Sequence, residues 1–125
     1  MAHNVNKRIM IVGGNTQFMY IIQRFVRASA HQILCASLGE DILAKARCEK
    51  PAAIVLEVDL PDTIGWNTLR SLKADPNIGR IPVIVCSWLD QEVRCLEQGA
   101  DLYLRMPILS ADFETALASI LEKQK

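Results

Sequence analysis

The chain has 125 residues, of which 50% are apolar and 22% charged, so it can bury a hydrophobic core and is not of the disordered class. Its 14 basic and 14 acidic residues give a formal net charge of zero, so there is no electrostatic argument for a nucleic-acid partner or an anionic membrane. No apolar run approaches a membrane span and the N-terminus lacks a secretory signal, so we predict a cytoplasmic protein without a membrane partner.

Five apolar segments alternate along the chain with five segments of helical periodicity. The predicted strands are Lys7–Val12, His31–Ala36, Ala52–Val58, Ile81–Cys86 and Asp101–Arg105. The predicted helices are Thr16–Ala30, Glu40–Lys50, Gly65–Ala74, Asp90–Gln98, where Val93 and Leu96 face inward, and a last helix capped by Ser110. We predict one domain over residues 1–125, with residues 1–6 as an N-terminal tail.

Alternation of apolar strands with amphipathic helices predicts an α/β fold whose parallel sheet is covered on both faces. Because crossovers are right-handed, five strands favour the flavodoxin-like, doubly wound order 2-1-3-4-5, here with five helices. The carboxyl ends of the strands form the edge where such sheets bind ligands. The residues expected at that edge are Gly13, Gly14, Glu57, Ser87 and Met106.

The third predicted strand places an acid at this edge. Ala52–Leu56 is an uncharged run between two prolines, which is typical of a strand buried on both faces, and Glu57 follows it. Ser87 has no histidine near it in sequence, and the two glycines after the first strand lack the G-x-G-x-x-G spacing of a phosphate loop. We therefore predict neither an enzyme nor a bound cofactor.

The four cysteines are widely spaced and contain no C-x-x-C pair, which argues against a zinc or dithiol site. Two fall in predicted strands and two in predicted helices, where buried or half-buried free thiols are expected. These residues are Cys35, Cys48, Cys86 and Cys95.

Nearly the whole chain, from Arg8 to about Leu121, resembles the receiver domain of two-component response regulators. The resemblance is carried by I-V-G-G-N at 11–15, P-A-A-I-V-L-E-V-D-L-P at 51–61, I-P-V-I-V-C-S at 81–87 and G-A-D-L-Y-L-R-M-P at 99–107. The last of these is the most specific, because a G-A-D-x-Y-L-x-K-P run before a helix is a strong signature of that family. The resemblance implies a role in phosphorelay signal transduction.

The same resemblance shows where this chain departs from the family. The acidic pair that binds Mg²⁺ in receivers falls on Gly13 and Gly14, and the phosphoryl-accepting aspartate falls on Glu57. The lysine that neutralises phosphoryl oxygens falls on Met106. Two features are retained, which are the hydroxyl after strand four and the switch aromatic of strand five. They are Ser87 and Tyr103.

Phosphoryl transfer to a carboxylate depends on positioning and on neutralisation of charge, and Mg²⁺ requires hard oxygen ligands. A phosphorylated Glu57 would lack both the acidic pair with its metal and the lysine. Glu57 and Asp59 remain as weak metal candidates. We therefore predict a pseudo-receiver that has lost Mg²⁺ binding, cannot be phosphorylated and acts through protein–protein contacts.

The resemblance implies that the partner is a sensor kinase or an output domain. The face of helix four, strand five and helix five commonly meets partners or a second copy, and here it would carry Trp88, Arg94, Tyr103 and Arg105. Ser87 is expected to bond locally or to Glu57. We predict that it turns toward Glu57 and that Tyr103 packs inward, a fixed, active-like arrangement in which the domain binds its partner constitutively.

Two alternatives remain open. The chain could be an ordinary phosphorelay receiver that accepts a phosphoryl group at Glu57, which Mg²⁺-dependent labelling by a small phosphodonor would reveal. It could also be a small flavodoxin-like enzyme or ligand-binding protein, although the missing phosphate loop argues against this class.

Overall fold

The computed structural model describes residues 7–37, 40–58 and 64–122. Its strands are β1 (Arg8–Val12), β2 (Gln32–Ala36), β3 (Ala53–Glu57), β4 (Val83–Ser87) and β5 (Leu102–Arg105). Its helices are α1 (Thr16–Ala28), α2 (Ile42–Glu49), α3 (Ile64–Ala74), α4 (Glu92–Glu97) and α5 (Ser110–Glu122). The predicted N-terminal tail lies outside the described residues. None of the described helices is long and apolar enough to cross a membrane.

The five strands form one parallel sheet in the order β2-β1-β3-β4-β5, which confirms the predicted flavodoxin-like fold. In the register of the central strands, Val12 of β1 pairs with Leu56 of β3, and Glu57 pairs with Cys86 of β4. All strands run in the same direction, so the carboxyl ends of β1, β3, β4 and β5 lie at one edge of the sheet.

Helices cover both faces of the sheet and enclose two hydrophobic clusters. One cluster contains Trp66 and Leu69 of α3 with Cys95 of α4, and the other contains Phe18 of α1 with Phe113 of α5. Every residue of β3 is buried, which confirms the interpretation of the uncharged run as a strand enclosed on both faces. The two clusters hold the strand ends, and hence the candidate site, in fixed positions.

The orientation of α4 differs from the prediction. Val93 and Leu96 were expected to face inward but are 71% and 46% exposed, whereas Cys95 is fully buried. Since α4 has only 6 residues, its few apolar positions do not define its buried side. Its orientation also brings the guanidinium of Arg94 to 3.9 Å from the ring centroid of Trp66 in α3.

All four cysteines are free thiols, but only two are buried as predicted. Cys86 and Cys95 are enclosed, while Cys35 of β2 and Cys48 of α2 are exposed. β2 is an edge strand of the sheet, so fewer neighbours cover its residues.

The carboxylate of Asp75 fastens α2 to the segment after α3. It accepts hydrogen bonds from Arg47 of α2, at 2.6 and 3.1 Å, and from the backbone N–H groups of Asn77 and Ile78. The bond to Arg47, followed by the backbone bonds, lowers the pKa of Asp75 below its ordinary value of 3.8. A lowered pKa in the folded state means that this stabilisation is present above pH 3.8 and is lost as the pH falls further.

Candidate functional site

Glu57 lies at the carboxyl end of β3 and is only 2% exposed. Its Oε1 accepts hydrogen bonds from the backbone N–H groups of Gly14, at 3.0 Å, and Asn15, at 3.1 Å. Asn15 is also the N-cap of α1, where its Oδ1 accepts from the N–H of Phe18 at 2.9 Å. The carboxylate therefore lies at the N-terminus of α1, where free N–H groups and the helix dipole favour a negative charge.

Gly13 leaves the space into which Glu57 extends. A Cβ atom at Gly13 would lie 2.7 Å from Cδ2 of Phe18 and 2.9 Å from Oε1 of Glu57. Real Cβ atoms essentially never approach other atoms so closely, and Phe18 is fully buried and has little room to move. The absence of a side chain at position 13 and the long side chain at position 57 are thus two parts of one arrangement.

Met106, which the resemblance predicts at the position of a lysine, has an uncharged side chain. Its side chain is 3% exposed and packs in the same hydrophobic cluster as Phe18 and Phe113. Its N–H donates to the carbonyl oxygen of Ser87 at 2.7 Å, and its peptide bond to Pro107 is cis. The backbone at this position therefore joins β4 to the end of β5, while the side chain contributes to the core.

Ser87 is hydrogen-bonded locally, which was one of the two arrangements predicted. Its hydroxyl donates to the carbonyl oxygen of Leu89 at 2.9 Å and accepts from the N–H of Leu89 at 3.0 Å. The other arrangement, in which this hydroxyl donates to Glu57, stays a prediction. The two bonds to Leu89 shape the loop that follows β4.

Tyr103 is half-buried and packs against the hydrophobic cluster that contains Trp66. Its hydroxyl donates to the carbonyl oxygen of Leu89 and accepts from the N–H of Gln91 at 3.1 Å. Tyr103 and Ser87 therefore bind the same segment between β4 and α4. These contacts of the segment were not predicted from the sequence, because they use backbone atoms that any residue could supply.

The described part of the chain contains no group of three or more histidine, cysteine, aspartate or glutamate side chains placed to hold a metal ion. Oε1 of Glu57 already accepts two N–H groups, and Gly13 and Gly14 have no side-chain oxygens. This donor set does not fit the several oxygen ligands that Mg²⁺ takes in proteins. Asp59, the second weak candidate, lies outside the described residues.

Comparison with known proteins places the chain among signalling proteins. The profile of the response regulator receiver domain family matches residues 9–118. Protein PilH of Pseudomonas aeruginosa PAO1 is 35% identical over 116 residues, which cover 90% of this chain and 93% of PilH. The alkaline phosphatase synthesis transcriptional regulatory protein PhoP of Bacillus subtilis is 30% identical over 124 residues, or 97% of this chain. The chain spans only 51% of the length of PhoP.

Solved structures share the fold at lower sequence identity. The receiver domain of the sensor histidine kinase PA1611 from P. aeruginosa PAO1 superposes with a TM-score of 0.83 and 22% identity, covering 94% of this chain and 99% of that one. That structure holds a magnesium ion in its active-site cleft. The signal receiver domain of a histidine kinase from Syntrophus aciditrophicus has a TM-score of 0.84 and 24% identity, covering 95% and 92% of the two chains.

Proposed function

Because this chain belongs to the response regulator receiver domain family, we propose that it is a receiver-type signalling domain that binds another protein and does not accept a phosphoryl group. The observation that carries this proposal is the pair of backbone hydrogen bonds that hold the carboxylate of Glu57 at the N-terminus of α1. The site keeps the family's fold but uses its acid as a structural anion.

The chemistry of phosphoryl transfer supports this proposal. An accepting carboxylate oxygen must approach phosphorus in line with the leaving group, while cations neutralise the charge that develops. For Oε1 of Glu57 to attack, it would have to leave the N–H groups of Gly14 and Asn15. Met106 offers no ammonium group to compensate, because its apolar side chain is packed in the core.

The partner surface that we propose is the face formed by α4, β5 and α5, and the partner class is a sensor kinase or an output domain. Nε of Arg105 donates to the carbonyl oxygen of Trp88 at 3.1 Å, which fixes two of the residues assigned to this face. Val93, at 71% exposed, adds apolar surface. Arg94, which is exposed on α4 and stacks over Trp66 of α3, stays assigned to this face as a prediction.

The hydrogen bonds of the segment between β4 and α4 support the proposal that the signalling state of this domain is fixed by its sequence and does not depend on phosphorylation. The hydroxyls of Ser87 and Tyr103 both bond to Leu89, and neither bond requires a phosphoryl group. A ligand shifts a conformational equilibrium only through its different affinity for the two states. With no phosphoryl group to supply that difference, we propose that the domain binds its partner constitutively.

Nuclear magnetic resonance with beryllofluoride, which mimics an acyl phosphate, tests this proposal. We expect the amide signals of Gly14, Asn15 and Ser87 to stay unchanged when Mg²⁺ and beryllofluoride are added together, apart from shifts also produced by sodium fluoride of equal ionic strength. Saturable shifts at these amides that require both reagents, and that vanish in Glu57→Gln, would contradict it.

A further inference from the structure

Helices α1 and α5 lie on the same face of the sheet and carry charges of opposite sign. α1 contains Arg24 and Arg27 and no acidic residue, whereas the acids of α5 are Asp112, Glu114 and Glu122, without a basic residue within the helix. All five side chains are exposed. The salt bridges found among the described residues join other side chains, so these charges have no ionic partner within that part of the chain.

The packing of α1 against α5 shows which residues of the two helices lie at the same level along the helix axes. Phe25 of α1 and Phe113 of α5 have ring centroids 5.5 Å apart, so these two positions lie at the same level. Both helices follow strands of one parallel sheet and therefore run in the same direction. Consequently Arg24 and Arg27, near Phe25, lie at about the same level along the helix axes as Glu114, which is next to Phe113. Glu114 is also on the side of α5 that faces the end of α1, since both line one groove.

This arrangement is complementary to itself. A two-fold axis between the helices and parallel to them places α1 of one copy over α5 of the other at the same height, and does so twice. We propose that the α1–α5 face, defined by Arg24, Arg27 and Glu114, is the contact between two copies of this chain. In the dimer, the arginines of each copy meet Glu114 of its partner.

The other side chains and the shape of this face also suit a close contact between two protein surfaces. Tyr20 of α1 is 60% exposed, and the guanidinium of Arg24 lies 5.7 Å from its ring centroid. Tyrosine and arginine are the residue types that most often anchor protein interfaces. A groove of about 390 Å³ runs between the end of α1 and α5, and its walls include the small residues Ala28, Ala30 and Ala118.

The presence of both positive and negative charges on the α1–α5 face favours a second copy of the chain as its partner. A partner of uniform charge, such as a nucleic acid, would be attracted by α1 and repelled by α5. A second copy presents both signs at matching levels along the helices, and it leaves α4 and β5 of the partner face uncovered. This inference does not depend on the state of Glu57.

Sedimentation velocity of the full chain over a range of protein concentrations tests the dimer. At about 0.05 M salt we expect association, with the dissociation constant rising about tenfold or more at about 1 M salt, where charges are screened beyond ~3 Å. Arg27→Glu and Glu114→Arg should each weaken the dimer about tenfold, because each places like charges in both contacts. An equimolar mixture of the two variants should associate again. One contact then keeps its original pair, Arg27 with Glu114, and the other is restored with reversed signs.

Arg80→Glu is the matched control, since it makes the same change of charge at an exposed residue outside this face. It should leave the dissociation constant unchanged. If either variant of the first pair proves unfolded by circular dichroism, Arg24→Glu and Glu114→Lys serve as the second pair with the same expectations.

Several outcomes would overturn the proposal. One is a chain that stays monomeric at every concentration and salt level, and another is a pair of charge variants whose mixture fails to associate. A dimer that survives Arg27→Glu but is dissociated by Val93→Arg would place the contact on the face formed by α4, β5 and α5 instead.

Discussion

Glu57→Ala is expected to lower the free energy of unfolding by about 2–4 kcal/mol, which makes it one of the two most damaging changes in the site. Hydrogen bonds to a charged group are worth about 1.5–3 kcal/mol, and the carboxylate of Glu57 accepts two of them at the start of α1. Truncation also removes a buried methylene and leaves the helix N-terminus without its anion. Urea denaturation followed by circular dichroism measures the change.

Two further variants distinguish the stabilising effect of the negative charge of Glu57 from the general effect of substituting a residue. Glu57→Gln keeps an acceptor oxygen but loses the charge, so its cost should fall between those of wild type and Glu57→Ala. Glu97→Ala removes an exposed glutamate from α4 and should change stability by no more than about 0.5 kcal/mol. If Glu57→Ala were as stable as wild type or more stable, the carboxylate would be strained by its burial, and its role as a structural anion would be wrong.

Gly13→Asp is expected to lower the free energy of unfolding by about 3 kcal/mol or more, because it combines steric overlap with repulsion between carboxylates. The new Cβ would lie 2.7 Å from the buried ring of Phe18, and the new carboxylate would lie beside that of Glu57. The simple exchange of the glycine pair for the family's acidic pair is therefore expected to damage the fold before it can create a metal site.

Comparison of Gly13→Ala with Gly13→Asp separates the part of the stability loss caused by steric overlap from the part caused by repulsion between carboxylates. Gly13→Ala introduces only the overlap and should cost about 1–3 kcal/mol. It should cost less in a Glu57→Asp background, because the shorter carboxylate withdraws from the position 2.9 Å from the new Cβ. Equal costs in the two backgrounds would mean that positions 13 and 57 are independent, contrary to the geometry of the site.

Sequence periodicity predicted the elements and their order because the apolar residues of the long segments repeat regularly. The uncharged run before Glu57 predicted a strand enclosed on both faces, and β3 is fully buried. Periodicity was wrong for Val93 and Leu96, since a helix of 6 residues is oriented by its tertiary contacts, including the stacking of Arg94 on Trp66. Short elements contain too few positions for a pattern to define a face.

The candidate site was predicted as a set of positions but not as a set of bonds. The resemblance to the family predicted that Glu57, Gly13 and Gly14 lie at the same edge of the sheet. The sequence could not show that Oε1 of Glu57 reaches the N–H groups of the loop, because backbone donors have no signature in the side chains. For the same reason, the bonds of Ser87 and Tyr103 to the backbone of Leu89 emerged only from the structure.

The most direct test of the central claim, that Glu57 is a structural anion and not a phosphoryl acceptor, is intact-protein mass spectrometry after incubation with acetyl phosphate and Mg²⁺. We expect the mass of the treated protein to be identical to that of the untreated protein. A gain of one phosphoryl group that requires Mg²⁺ and is lost in Glu57→Gln would contradict it.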